Sequence, residues 1–270
     1  MAYSTGKCAA ITGAGSGIGR ALALQLNRDG CHLYIADINP ETLEETGNML
    51  ERQDIPCHQC VLDVADNTAV HNWADQISEA RNHVDIVINN AGVALTGLAQ
   101  QNAYEDIQWL MGINFWGVVH GTRAFLPLLQ KSACGHLVNV SSVFGIIGVP
   151  TQSAYNAAKF AVRGYTEALR TELQDSNVHV CCVHPGGIST NIARDSRGGN
   201  GSAEQKDANF RQMAKTSPES AAAQIIRGIE KRKKRLLIGM DARIITFVSW
   251  LAPVNYPRLL ARFVKADILQ

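Results

Sequence analysis

Tyr155 and Lys159 stand four residues apart in Tyr155-Asn-Ala-Ala-Lys159. On a helix that spacing puts a phenol and an ammonium on one face, where both can reach the same ligand. A free tyrosine titrates near 10, too high for efficient base catalysis at neutral pH. A cation about 4 Å away contributes on the order of 4 kcal/mol at an effective dielectric of 20, roughly three pK units before solvent screening. The pair is therefore expected to draw the phenol toward neutrality and let it exchange a proton with an alcohol or carbonyl oxygen. Ser142 lies thirteen residues before Tyr155, at the end of the apolar run Val138-Asn-Val-Ser-Ser142. Its hydroxyl can meet the phenol at one sheet edge. His184 would be a further acid, but its place just before Pro185 reads better as structural.

A second constellation is suited to phosphate. Thr12-Gly-Ala-Gly-Ser-Gly-Ile-Gly19 follows an apolar run and opens a stretch of small and apolar residues with helical spacing. Glycines there permit a tight turn and close backbone approach to a pyrophosphate, and the helix N-terminus supplies N–H groups and partial positive charge. Gly13, Ser16, Gly17, Ile18 and Gly19 are the expected contacts. Asp37, about 20 residues on, ends Tyr34-Ile-Ala-Asp37, where a carboxylate can accept from an adenosine ribose and would repel a 2′-phosphate. NAD is thus favoured over NADP, with Arg20 the one cation near the turn that could argue otherwise. Asp63 and Val64 are placed against the adenine, the plainer alternative for Asp63 being a helix cap. Asn90, in Asn89-Asn-Ala-Gly92, falls at the next strand end and can serve ligand and sheet alike.

These residues need a scaffold that brings strand ends together. Apolar runs bounded by turn signals recur at Lys7–Thr12, His32–Ala36, Cys57–Leu62, Val84–Asn89, His136–Val140, Val178–Val183 and Arg235–Ile238. Helical spacing fills the intervals, as in Ile18–Asn27, Glu41–Glu51, Ala69–Ala80 and Ala154–Leu173. Alternating strands and helices predict one α/β domain over residues 1–270, a doubly wound parallel seven-stranded sheet with helices on both faces. Pro127 predicts a kink or boundary in the helix before the fifth strand. Residues 186–216, rich in Gly, Ser, Asn, Asp and Arg, read as a mobile substrate loop, and 240–270 as a variable C-terminal segment.

At this point the chain resembles the short-chain dehydrogenase/reductase family from Lys7 to about Ile238. The residues that carry the likeness are the glycine turn, Asn89-Asn-Ala-Gly92, Asn114, Ser142, Tyr155, Lys159 and Pro185-Gly-Gly-Ile-Ser-Thr190. The resemblance implies a Rossmann fold and an NAD(P)-dependent oxidoreductase acting on CH–OH groups. It makes Tyr155 the acid/base, Lys159 the group that lowers its pKa and holds the nicotinamide ribose, and Ser142 the partner of the substrate oxygen. It gives Asn114 a water in a proton relay with Lys159. Ile188 and Thr190 would hold the nicotinamide carboxamide through backbone and hydroxyl. A homodimer or homotetramer is the implied assembly. The rival reading is a dinucleotide-binding sensor or scaffold without chemistry, against which the intact set of Asn114, Ser142, Tyr155 and Lys159 speaks.

Composition narrows the partners. A formal net charge of +1 gives no field for drawing in nucleic acid, so the partner is expected to be a small alcohol or carbonyl compound. The N-terminus shows no export signal and the seven cysteines are odd in number, which predicts reduced thiols and a cytoplasmic protein. Cys57 and Cys60 form a CxxC at a strand edge without a second ligand pair, so no metal is expected. Val143–Val149, Val93–Leu95 and Ile244–Val254 are strongly apolar, pointing to a lipophilic substrate or to oligomer packing. The last stretch is too short to span a bilayer, yet Lys231–Arg235 precede it and Arg258, Arg262 and Lys265 follow, so peripheral membrane contact is a further expectation.

Overall fold

A computed structural model describes residues 2–199 and 202–260. All seven expected strands form. They are β1 (Cys8–Thr12), β2 (His32–Asp37), β3 (Cys57–Val61), β4 (Ile86–Asn89), β6 (Gly135–Val140), β7 (Val178–Pro185) and β9 (Arg235–Ile238). Two short strands, β5 (Leu95–Thr96) and β8 (Arg197–Gly198), pair apart from them. The main sheet is parallel throughout in the order β3-β2-β1-β4-β6-β7-β9. The order reverses at β1, so the carboxyl ends of β1 and β4 flank the crevice where open α/β sheets bind ligands.

Helices cover both faces, as the βαβ pattern requires. Leu22 and Leu26 of α1 (Gly17–Arg28), Leu43 of α2 (Pro40–Asn48) and Ile225 and Ile229 of α8 (Pro218–Glu230) pack with Ile11, Ile35 and Val183 on one side. On the other, α3 (Asn67–Arg81), α5 (Gly117–Gln130) and α6 (Ser153–Glu172) bury Trp73, Ile77, Phe125 and Leu169 against Ala10, Val87 and Leu137. Cys57 joins the first cluster and Cys60 the second. Residues three apart on a strand point to opposite faces, so the CxxC brings no two thiols together.

Between α4 (Tyr104–Met111) and α5 the helix widens into a π segment, Gly112–Trp116. α5 then runs through Pro127 to Gln130, so the expected boundary does not occur there. The segment expected to be loop after β7 is partly ordered by its own sequence: α7 spans Ala203–Met213. Ser202 accepts from the Gln205 backbone and Gln205 reaches back to the Ser202 N–H, a reciprocal cap that loop-like composition obscured. Beyond β9, α9 (Met240–Leu251) and α10 (Tyr256–Leu260) follow. Arg262 and Lys265, expected in the basic flank, lie outside the described residues.

At the amino edge of the sheet a polar cluster closes on itself. Asp85 accepts from the Cys8 N–H at 2.8 Å and from the Ser132 hydroxyl at 2.5 Å. Tyr3 Oη pairs with His136 Nε2 at 2.7 Å, and burial lowers that imidazole to about 4.

Candidate active site

The glycine turn is clamped from several sides. Asn90 donates from Nδ2 to the Thr12 and Gly13 carbonyls at 3.0 and 3.1 Å, and its backbone N–H donates to Thr12 Oγ1. Gly13 has φ 68°, and a Cβ there would lie 2.8 Å from Ala91 Cα. Gly17, also at positive φ, faces the Thr190 methyl, where a Cβ would come within 2.9 Å. Either side chain would therefore force the turn or its neighbours apart. Ser16 stands at the N-cap of α1 but makes no side-chain cap, so the first-turn amides are left available to an anion. Gly13, Ser16, Gly17, Ile18 and Gly19 thus lie together at the crevice.

Asp37 ends β2 and sits directly over this turn. Its Oδ2 accepts from the Gly15 N–H at 2.8 Å and its Oδ1 from the Asn39 N–H at 3.0 Å. Arg20 turns elsewhere: it pairs with Glu45 at 2.8 Å and donates to the Gly15 and Thr42 carbonyls and to Thr46 Oγ1. The reservation attached to Arg20 resolves into an ion pair. Asp63 is exposed and accepts from the Ala65 N–H at 2.9 Å, whereas the N-cap of α3 is Asp66. The capping alternative for Asp63 therefore fails. Val64 is buried beside Gly117 and its carbonyl accepts from His120.

Tyr155, Ser142 and Lys159 converge beyond the ends of β6 and β7. Asn156 builds the loop above them, its Nδ2 donating to the Phe144 and Ile147 carbonyls and its Oδ1 accepting from the Val149 N–H. Ser142 Oγ accepts from the Phe144 N–H at 3.1 Å, and its hydroxyl neighbours the Tyr155 phenol. Lys159 Nζ sits 5.7 Å from the Tyr155 ring centroid and donates to the Val140 carbonyl at 3.1 Å. Asn114, fully buried in the π segment, accepts from the Val93 N–H at 2.8 Å and donates to the Val93 carbonyl at 2.9 Å. Gly92 lies between Asn114 and Lys159, where a Cβ would come 3.1 Å from Asn114 Oδ1 and 3.4 Å from Lys159 Nζ and crowd the amide.

The electrostatics differ from the expectation. Burial pushes the Tyr155 phenol up to about 12, with the neighbouring Ser142 hydroxyl pulling the other way, and burial brings the Lys159 ammonium down to about 8. Both groups are removed from water far enough that desolvation sets the direction of each shift. His184 is buried behind the site, its Nδ1 bonding the Ser142 carbonyl at 3.0 Å, and burial lowers it to about 4.

The segment after β7 folds back over the site. Ile188 forms a parallel bridge with Thr216 that uses the Gly187 carbonyl and the Ser189 N–H. In such a bridge the N–H and C=O of Ile188 itself point away from Thr216, free for another partner. Asp241 Oδ2 accepts from the Gly187 N–H at 2.6 Å, and the Tyr256 hydroxyl accepts from the Gly148 N–H at 2.8 Å. Neither Asp241 nor Tyr256 carries a motif, and only the folded chain brings them to this edge. Arg197 stacks 3.8 Å over the Trp109 ring and pairs with Asp106 at 2.9 Å, while β8 adds to β5. Under this strap Val93, Ile107, Trp109 and Met111 share an apolar cluster with Tyr155.

A family model described as short chain dehydrogenase matches residues 7–201. SadH of Mycobacterium tuberculosis, named as an oxidoreductase, is 44% identical over 265 residues that cover 97% of this chain and 96% of SadH. A short-chain dehydrogenase/reductase from Burkholderia phymatum, crystallised with NAD, is similar at a TM-score of 0.85 and 29% identity, over 93% of this chain and 95% of that one. Carveol dehydrogenase from Mycobacterium avium, also crystallised with NAD, gives 0.78 at 25% identity over 88% and 98% of the two chains. A family match across most of the sheet and a relative aligned almost end to end make this chain a member of the short-chain dehydrogenase/reductase family of oxidoreductases.

Proposed function

We propose that the chain interconverts a hydrophobic secondary alcohol and its ketone with NAD(H), Tyr155 exchanging the proton. The observation that carries this reading is the meeting of Tyr155 with the Ser142 hydroxyl and Lys159 at the carboxyl edge, beside a clamped glycine turn. Ser142 holds the substrate oxygen against the phenol. A phenol kept protonated by burial is poised to donate to a carbonyl. Lys159, near 8, can pass a proton on at physiological pH, and Asn114 beside it would fix a water in that relay.

The cofactor reading rests on fit. NAD supplies the hydride acceptor and, when oxidised, a positive charge. The first-turn amides of α1, with Gly13, Ser16, Gly17, Ile18 and Gly19, would hold the pyrophosphate, Asp37 the adenosine ribose, and Asp63 and Val64 the adenine. Asn90, Ile188 and Thr190 would hold the nicotinamide end with Tyr155 and Lys159. A 2′-phosphate would meet the Asp37 carboxylate, while the nearest cation, Arg20, is engaged with Glu45. NAD in the Burkholderia and carveol dehydrogenase structures supports the same choice.

Apolar neighbours of Tyr155 support a lipophilic substrate, and residues 186–216 would act as its mobile cover, opening where Arg197 leaves Trp109. Trp116 and Phe160, large apolar side chains exposed on the π segment and α6, support a homodimer or homotetramer. Seven free thiols fit a reducing, cytoplasmic setting.

The test follows nicotinamide absorbance for wild type and Tyr155→Phe on secondary alcohols of graded hydrophobicity, with NAD and NADP in parallel. Turnover with NAD that rises with chain length and vanishes in the variant is expected. NADH binding by both proteins with turnover by neither would replace this reading with the silent sensor.

A further inference from the structure

Across the mouth of the site lies an apolar surface that no other described residue covers. Met240, Ile244, Phe247 and Leu251 follow one another at helical spacing along α9 and are 66, 53, 60 and 67% exposed. Trp250, at 75%, flanks Phe247 with ring centroids 6.2 Å apart, and Val254 just beyond the helix is 84% exposed. Ala242 is the one buried residue of α9. Large apolar side chains in such a row, rather than scattered singly, mark a contact surface.

Charge says which contact. Arg243 stands one turn before Phe247, and Arg258 lies on α10; both are exposed. From Ala242 to Leu260 the sequence contains no aspartate or glutamate. A two-fold contact through this face would bring both copies of Arg243 and Arg258 into one interface, where the one carboxylate on α9, Asp241, is already held by the Gly187 N–H. An anionic surface complements them. No helix among the described residues is long and apolar enough to cross a membrane. A twelve-residue helix can instead lie in the interface with its aromatic side chains at headgroup depth.

We propose that this face of α9, with Arg243 and Arg258, docks on an anionic lipid bilayer and sets the mouth of the site against the membrane that holds a lipophilic substrate. The inference rests on the reading above for the substrate only. Two contacts tie the surface to the site: Asp241, in the first turn of α9, caps Gly187, and Tyr256 at the start of α10 caps Gly148. A substrate leaving the bilayer would meet the apolar loop Val143–Val149 before water.

The test floats the purified full chain with vesicles of phosphatidylcholine alone and of phosphatidylcholine with phosphatidylglycerol in equal parts. Wild type should float with the mixed vesicles. Phe247→Ser with Trp250→Ser should weaken binding roughly tenfold or more per side chain. Arg243→Gln with Arg258→Gln should lose roughly fivefold per charge, on the mixed vesicles only. Both double variants should keep wild-type melting and wild-type turnover of a short, water-soluble alcohol. Wild type left in the aqueous layer with both vesicles overturns the proposal. So does sedimentation showing that the Phe247/Trp250 variant dissociates a wild-type oligomer, which would mean that a second copy covers the face. Turnover without flotation removes the membrane surface alone, and flotation without turnover removes the dehydrogenase reading alone.

Discussion

The two ends of the sheet use similar residues to opposite effect. At the amino edge Asp85, Ser132, Tyr3 and His136 bond one another and the backbone until little capacity is left. At the carboxyl edge Ser142, Tyr155, Ser16 and the Ile188 backbone keep donors or acceptors in reserve. A saturated polar cluster fixes strands; one with spare valence can bind and react. The distinction lies in the count of partners, which residue type alone does not reveal.

Exchanging the two losses is the strongest way to break this comparison. Tyr155→Phe should lower turnover by roughly 10³-fold and leave the melting temperature unmoved, as measured by absorbance kinetics and calorimetry. Asp85→Ala should do the reverse, costing on the order of 3 kcal/mol in denaturant unfolding while each folded molecule keeps its turnover. If Asp85→Ala abolished turnover at full stability, the amino edge would not be merely structural.

Lys159 sharpens the contrast because the working edge holds a charge at the expense of stability. Its folded-state pKa of about 8 lies below the ordinary 10.5, so its contribution is fully present above 10.5 and is lost as pH falls toward and through 8. Lys159→Met should therefore be more stable than wild type at pH 7, by on the order of 2 kcal/mol after the lost bond to Val140 is counted. Melts from pH 7 to 10 should show that gap closing. In the wild type, carbonyl reduction should hold to about pH 8 and decline above it as the ammonium gives up its proton. The smallest effect expected is that of Asp37→Ser, which should shift preference toward NADP by roughly tenfold in kcat/KM, since one repulsive charge is removed and no new cation is supplied.

Much of this was legible in the sequence because it is local. An apolar run of five residues is a strand wherever a parallel sheet buries both faces, and β1, β2 and β6 follow that rule. The glycine turn and the Tyr155–Lys159 pair are likewise written in consecutive residues. Long-range features were not legible. Tyr256 reaches Gly148 across 108 positions, and β5 meets β8 about as far apart in the chain. The phenol's direction of shift is hidden for the same reason: spacing gives the neighbour but not the burial, and burial decides the sign. The α7 helix is masked in the sequence because the glycine and serine around it outweigh a cap that needs only Ser202 and Gln205.

The π segment Gly112–Trp116 has an implication for how the chain can vary in length. A π turn holds one residue more than an α turn, and that surplus sets Asn114 against Val93 while Gly117 and Gly121 downstream face Val64 and Asn89. Removing any single residue there would restore the regular pitch and rotate one side of the helix by about 100° against the other. Asn114 or the two glycines would then lose their register, whichever side stayed fixed. Substitutions in this stretch alter one contact at a time, whereas a one-codon deletion alters them all, so the length of the segment constrains the site as much as the identity of Asn114 does.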